Sequence, residues 1–376
     1  MSTPIPKQHR ALFLSTTDKP LTIETRNTPE PGPGSVLVRI LATSVRTNTP
    51  DVLQSSVASH GVPTSFVPGF ISIGRVASVG PDTTKLSPRQ LVFFNPWIVG
   101  RDSRDASCVS GLMEGFNEAS HKLSHGEWRD STFAEYAKLP LENCHVLNES
   151  RLFKDPKDGG LGYTLEDLTH LFSMLIPFGG LADIDIKSGE TVVIAPATGR
   201  YGSAAARVAL AMGARVIAIG RNASILSQLE AISPQLDTVQ MTNDIERDTQ
   251  ALRSVIPEGA DAFWDMSPPG ASNSTHFRSS LNVLKHGARV SIMGFIPSGV
   301  SFSYMDILAG GLSIKGTQMC TQDQTRRLIN MVESGVLPLA RGARMGPVRM
   351  FKLEQWEECF AVVRREIGPG EIVIAP

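Results

Sequence analysis

The sequence predicts an α/β chain in two parts, a β-rich first part followed by a doubly wound parallel sheet, and three observations carry that expectation. Residues 10–90 hold short apolar runs of strand type separated by turn clusters such as Pro29-Glu30-Pro31-Gly32-Pro33-Gly34. Residues 191–318 alternate strand-like and helix-like segments, the order that builds a parallel sheet with crossover helices. Between them Lys154-Asp155-Pro156-Lys157-Asp158-Gly159-Gly160 reads as a junction. At 376 residues the chain is long for one domain and comfortable for two. The expected division is 1–160, then 161–318, then a tail over 319–376 that returns to the first part.

In the first part the strand-like runs are 11–14, 36–41, 71–79 and 91–94. After the junction, Thr164-Leu165-Glu166-Asp167 has the spacing of a capping box, in which each terminal side chain accepts from the other residue's backbone N–H. Leu168, Leu171, Phe172 and Leu175 give the helix it opens a buried face. The second part then predicts strand 191–195, helix 203–212, strand 215–219 and a helix near 223–232. Strand 262–266, a helix around 275–286, strand 289–295 and strand 312–316 complete it. The tail reads as helices over 325–334 and 356–365 and a last strand over 371–375.

Residues 194–222, IAPATGRYGSAAARVALAMGARVIAIGRN, hold the chemistry of the second part. The apolar run Val192-Val193-Ile194-Ala195 breaks into a turn ending at Gly202, after which small apolar residues recur at helical spacing until Gly213. A helix that starts on such a turn offers backbone N–H groups to a pyrophosphate, provided glycines let the main chain come close. Pro196 and Ala197 break a full G-x-G-x-x-G, so only Gly199 and Gly202 keep glycine roles. Thr198, Gly199, Arg200, Tyr201 and Gly202 are therefore read as a dinucleotide phosphate site, and the competing reading is a turn that only packs a helix on a sheet. An NAD site places Asp or Glu at the end of the next strand, about 20 residues past the glycines, on the ribose hydroxyls. Here that end reads Gly220-Arg221-Asn222, with no carboxylate between Gly202 and Glu230. The planar fork of Arg221 suits a 2′-phosphate, so the expected cofactor is NADPH with Arg221 and Asn222 at its adenosine end. The alternative is that Arg221 is a solvated strand-end charge.

A net charge of −1 with mixed-sign surface residues and no basic run argues against a nucleic-acid or membrane partner. The opening MSTPIPKQHRALFLS lacks the apolar stretch of a signal peptide, and nothing elsewhere approaches a spanning helix, so the expected location is the cytosol. Cys108, Cys144, Cys320 and Cys359 lie far apart without a C-x-x-C, which fits reduced thiols better than disulfides or a structural zinc.

The glycine turn, the order of the parts and several local stretches together resemble the medium-chain dehydrogenase/reductase family. The stretches are Val67-Pro68-Gly69-Phe70-Ile71-Ser72-Ile73-Gly74-Arg75-Val76, Phe133-Ala134-Glu135-Tyr136, Val290-Ser291-Ile292-Met293-Gly294 and Glu371-Ile372-Val373-Ile374, spread over nearly the whole chain. The resemblance implies a GroES-like, β-rich catalytic domain and a Rossmann domain, with substrate and nicotinamide in the cleft between them and a homodimer joined through the last Rossmann strands. It places Met293, Gly294 and Phe295 against the nicotinamide, although their apolar character suits a core equally well.

Departures from the family bear on mechanism. Zinc-dependent members carry a Cys in the loop that here reads Ser44-Val45-Arg46-Thr47-Asn48-Thr49, and a His-Glu pair where this chain has Phe70-Ile71. A guanidinium and a phenyl ring supply no metal ligand, so the resemblance implies a member without catalytic zinc. The segment between Val92 and Phe133, about forty residues, matches the lobe that holds a structural zinc in alcohol-dehydrogenase-like members, yet it contains only Cys108. The expectation is a lobe kept without its metal.

Without zinc, hydrogen-bond donors must stabilise the charge that grows on a substrate oxygen during hydride transfer. Arg46 and Asn48 are the candidates, and Asp51 falls near the proton-relay His of zinc enzymes. Arg46 has a bland alternative, a pairing with a carboxylate such as Asp51 that only braces the loop. His60, His121, His125 and Tyr136 are further acids to test, and Trp97 and Trp128 are read as lobe or pocket wall. Two functions follow. One is an NADPH-dependent, zinc-independent reductase of a hydrophobic carbonyl compound, at an activated C=C or at C=O. The other is a non-redox role, as a sensor, a scaffold, or an isomerase or cyclase with a structural cofactor.

Overall fold

The computed structural model describes residues 4–54, 61–297, 299–339 and 344–376. The chain forms two compact units, one of Met1–Phe172, Pro347–Ile367 and Glu371–Pro376, the other of Ser173–Gly346 with Gly368–Gly370. The boundary expected after residue 160 falls after Phe172, and residues 319–346, expected to return to the first part, stay with the second. Packing explains this. Thr317 and Gln324 donate to the Asp183 carboxylate at 2.7 and 2.9 Å. The chain also passes so close to Gly179 that a Cβ there would lie 2.3 Å from the Met319 oxygen.

The first unit is built on a seven-stranded sheet, with Gln8–Phe13 paired to Thr22–Asn27 and Trp97–Val99 to Ser107–Val109 as separate two-stranded sheets. The order of the seven runs Val348–Lys352, Glu371–Ala375, Ser35–Ser44, Ser72–Val79, Leu91–Phe94, Cys144–Val146, with Tyr136–Pro140 also paired to Ser35–Ser44. The strand Ser35–Ser44 is buried over most of its length, as a β-branched run covered on both faces must be. Leu12, Phe66, Phe133, Phe360 and Ile374 meet in one core cluster, which is how the returning tail closes this unit. The expected strands are present over Gln8–Phe13, Ser35–Ser44, Ser72–Val79 and Leu91–Phe94. Val348–Lys352 went unread because its exposed positions carry Arg349, Met350 and Lys352 and blur the apolar alternation. The capping box at Thr164 is present, with Asp167 N–H donating to the threonine hydroxyl at 3.1 Å and Thr164 N–H donating to the carboxylate at 2.8 Å. The helix it opens stops at Thr169, and a second runs over Leu171–Asp183.

The second unit is built on six parallel strands: β1 (Thr191–Ala195), β2 (Arg215–Gly220), β3 (Leu236–Gln240), β4 (Ala260–Asp265), β5 (Leu284–Ile292) and β6 (Ser313–Gly316). Their spatial order is 3-2-1-4-5-6, and the strand order reverses between β1 and β4. Helices α1 (Arg200–Ala211), α2 (Ala223–Glu230), α3 (Ile245–Val255), α4 (His276–Leu281) and α5 (Tyr304–Gly310) lie between them in sequence. The helix expected around 275–286 is only α4, because β5 begins at Leu284. Lys285, read as helical, instead reaches across the sheet to Asp261 of β4 at 2.8 Å. The strand expected to run to 295 stops at Ile292. Among the described residues no helix is long and apolar enough to cross a membrane. All four cysteines are buried and unbridged.

Candidate active site

In the first unit the turn Pro68-Gly69-Phe70 is fixed by a glycine requirement and a hydroxyl. A Cβ on Gly69 would lie 2.2 Å from the Thr132 nitrogen, so only glycine fits. Phe70 N–H donates to Thr132 Oγ1 at 3.0 Å, that hydroxyl donates to the Phe70 carbonyl at 3.0 Å, and Thr43 Oγ1 lies 2.7 Å from it. This knot holds the buried Phe70 ring under Arg46, whose guanidinium carbon stands 4.9 Å from the ring centroid. Such stacking is a cation–π contact. Arg46 N–H donates to Thr49 Oγ1 at 3.0 Å, which sets the loop at the start of the helix Thr49–Gln54. Its Nε is buried without a hydrogen-bond partner, and among the described residues its side chain has no carboxylate partner. The two side chains at the positions that the resemblance gives to metal ligands stack on each other, and neither offers a lone pair to zinc. The residues present do not fit that metal.

The remaining sequence candidates separate. Asn48 is exposed beside Arg46 in the loop. Asp51, expected near the relay position or as Arg46's partner, is exposed and accepts from Arg364 at 3.2 Å rather than from Arg46. His125 Nε2 and His121 Nε2 lie 2.6 and 3.7 Å from the Glu114 carboxylate, which ties both imidazoles to the lobe. Tyr136 lines a polar cavity of about 530 Å³ with His9, Arg26, Arg129 and Lys138, a cavity that Arg46 and Asn48 do not border. His9 in that wall is held below the ordinary imidazole range, chiefly by burial. Trp128 packs with Ile98 and Cys108 as the lobe's small core, while Trp97 is half-buried on the Trp97–Val99 strand. His60 lies outside the described residues. Among the described residues no group of three or more His, Cys, Asp or Glu is arranged to hold a metal ion.

In the second unit, Thr198 to Gly202 form the turn after β1 and the first residues of α1. Gly199 is the N-cap of α1 and no side chain caps that turn, the arrangement that leaves a helix start open to an anion. A Cβ on Gly202 would lie 2.0 Å from the Pro196 oxygen, so its glycine role is close packing of helix against turn. Arg200 is buried and Tyr201 half-buried. Arg221 follows β2 with an exposed guanidinium that has no hydrogen-bond or ion-pair partner among the described residues. Asn222 caps α2 by accepting from Ile225 N–H at 3.1 Å, so its side-chain oxygen serves the helix start. Met293, Gly294 and Phe295 follow β5, with Trp264 Nε1 donating to the Met293 sulfur at 3.2 Å and Phe295 exposed. The second unit therefore gathers Gly199, Gly202, Arg221 and Met293–Phe295 at the carboxyl ends of β1, β2 and β5, the edge where open α/β sheets bind ligands.

A glycine-turn α/β sheet of order 3-2-1-4-5-6 on the same chain as a GroES-like β unit defines a two-domain dehydrogenase fold. The family described as alcohol dehydrogenase GroES-like domain matches residues 32–149, and the one described as zinc-binding dehydrogenase matches residues 202–334. The chain belongs to the medium-chain dehydrogenase/reductase family of oxidoreductases. It is similar to the L-threonine 3-dehydrogenase of Ruegeria pomeroyi, 25% identical over 369 residues that cover 97% of this chain and 99% of the relative. Its fold is that of a cobalt- and zinc-bound thermostable alcohol dehydrogenase from Pyrobaculum aerophilum, with TM-score 0.72, 20% identity, and 98% and 100% of the two chains covered. The acetophenone reductase of Geotrichum candidum, solved in complex with NAD, matches with TM-score 0.73 and 18% identity over 100% and 99%.

Proposed function

We propose that the protein is an NADPH-dependent, zinc-independent reductase of a hydrophobic carbonyl compound, acting at C=O or at an activated C=C. The observation that carries the reading is the Arg46–Phe70 stack in place of metal ligands, a fixed cation with no carboxylate to neutralise it among the described residues. Bound NADPH supplies the hydride. Arg46 donates to the substrate oxygen as negative charge grows there, with Asn48 as a second donor, and a proton from water then goes to the oxygen after attack at C=O or to the α-carbon after attack at C=C. The start of α1 at Gly199 receives the pyrophosphate and Arg221 the 2′-phosphate, where an NAD enzyme would place a carboxylate. Support for a ketone substrate comes from the acetophenone reductase of similar fold, named for one.

The reading includes a homodimer in the cytosol. β6 is the outer strand of its sheet, and the neighbouring α5 exposes Tyr304, Met305 and Leu308 at 78, 58 and 62%. An unpaired edge beside an apolar helix face favours a second copy of the chain. The deciding experiment follows NADPH absorbance with a panel of enones, aldehydes and ketones. Consumption with at least one class is expected, and none with any would favour the non-redox role instead. Sedimentation at micromolar concentration checks the dimer, and a wild-type monomer there would remove that part.

A further inference from the structure

The carboxyl end of β4 holds a buried polar cluster that the reaction as proposed does not use. Asp265, Ser267 and His276 are 1, 1 and 2% exposed. Ser267 Oγ donates to Asp265 Oδ1 at 2.5 Å, and His276 Nε2 lies 2.8 Å from the same hydroxyl and 3.3 Å from that carboxylate oxygen. The serine has one proton and gives it to the aspartate, so the imidazole Nε2–H must donate to Ser267. On the other side of the ring, His276 Nδ1 is 2.6 Å from Ser274 Oγ, which donates to it when the imidazole is neutral. Three side chains from β4, the loop after it and α4 are thereby locked together.

The main chain of the same residues carries the loop after β5. Met293 N–H donates to the Asp265 carbonyl at 2.9 Å and Phe295 N–H to the Ser267 carbonyl at 2.8 Å. Gly294 sits so tightly between them that a Cβ would lie 2.4 Å from the Ser267 nitrogen and 2.8 Å from Asp265 Oδ2. Any shift of Asp265 or Ser267 is therefore passed to Met293–Phe295. A core built only for stability has little reason to bury a carboxylate, a hydroxyl and an imidazole, whereas a fully satisfied polar network fixes one geometry.

We propose that Asp265, Ser267 and His276 are positioning residues for the nicotinamide half of the cofactor, acting through the backbone of Met293–Phe295. The inference rests on the reading of that segment as the nicotinamide contact. It predicts a split that general loosening would not produce: the whole cofactor loses affinity while its adenosine half does not.

The test is calorimetric titration of wild type and variants with NADPH and with 2′,5′-ADP, alongside melting temperatures. His276→Phe should weaken NADPH about tenfold, the scale of one lost buried hydrogen bond, and leave 2′,5′-ADP within about twofold. His276→Gln, which restores an N–H toward Ser267, should recover most of the loss. If His276→Phe does not fold, Ser267→Ala serves, with a loss of about threefold in the same direction, because His276 Nε2 already lies near Asp265. Equal losses for both ligands, or no loss for NADPH, would overturn the proposal. Failure of the cofactor reading shows separately, as equal wild-type affinity for NADPH and NADH, and the comparison is then read with NADH and ADP. Absence of any dinucleotide binding in the wild type overturns both.

Discussion

The turn that starts α1 presents main chain, whereas the Arg46 loop of the first unit presents one guanidinium. In the turn, Gly199 and Gly202 matter for what they lack, since a Cβ at Gly202 would collide with the Pro196 oxygen at 2.0 Å. In the loop, Arg46 matters for what it adds, a cation 4.9 Å above the Phe70 ring, with the Arg46 and Phe70 backbone N–H groups donating to Thr49 Oγ1 and Thr132 Oγ1. A main-chain site is spoiled by adding an atom and a side-chain site by removing one. Substitutions in opposite directions therefore probe the two regions.

The largest effect is expected at Arg46. Arg46→Ala should lower turnover on the order of a hundred-fold, the usual cost of one lost donor to a developing oxyanion, with NADPH affinity unmoved. Unchanged turnover in folded protein would reduce Arg46 to a loop brace. Next, Gly202→Ala should cost about 1–3 kcal/mol of stability by overpacking and weaken dinucleotide binding, measured by denaturant melts and titration. Full tolerance of the methyl would break the contrast between the regions. Arg221→Ala should weaken NADPH by about 2 kcal/mol with little change for NADH, and equal wild-type affinity for the two cofactors would refute the 2′-phosphate role. The Asp51–Arg364 pair is exposed by 70 and 47% of its side chains, so Asp51→Asn should change stability by less than about 1 kcal/mol. The smallest effect is expected from metal removal: a strong chelator should leave turnover in place, and one tightly held zinc per chain by elemental analysis would contradict the stacked pair.

What was legible in the sequence follows the same division. Gly199, Gly202, the Thr164 capping box and the β1–α1–β2 order are local, so their meaning lies within a few residues of each. Helix α3 and strand β3 went unread because polar residues interrupt their periodicity. The helix assigned around 275–286 failed at Lys285, whose partner Asp261 lies on another strand. The Asp51–Arg364 contact is illegible for a similar reason, since Arg364 is remote in sequence and nothing in the loop announces it. The substitutions at Arg46 and Phe70 were visible, but their stacking needed Gly69 and Thr132 to bring them together. No spacing pattern marks Asp265, Ser267 and His276, which meet only because the chain turns back after β4.

Burial of the cysteines has a use in timing. Burial pushes the Cys108 and Cys320 thiols up to about 12 and raises Cys144 as well. The thiolate is the reactive form, so in the closed protein these sulfurs are silent toward alkylating reagents, and labelling waits for a local opening. Cys108, Cys144 and Cys359 belong to the first unit and Cys320 to the second. Mass-resolved labelling of the native enzyme therefore reads two clocks at once, one for how often each unit breathes, and a bound dinucleotide should slow the hand that Cys320 carries.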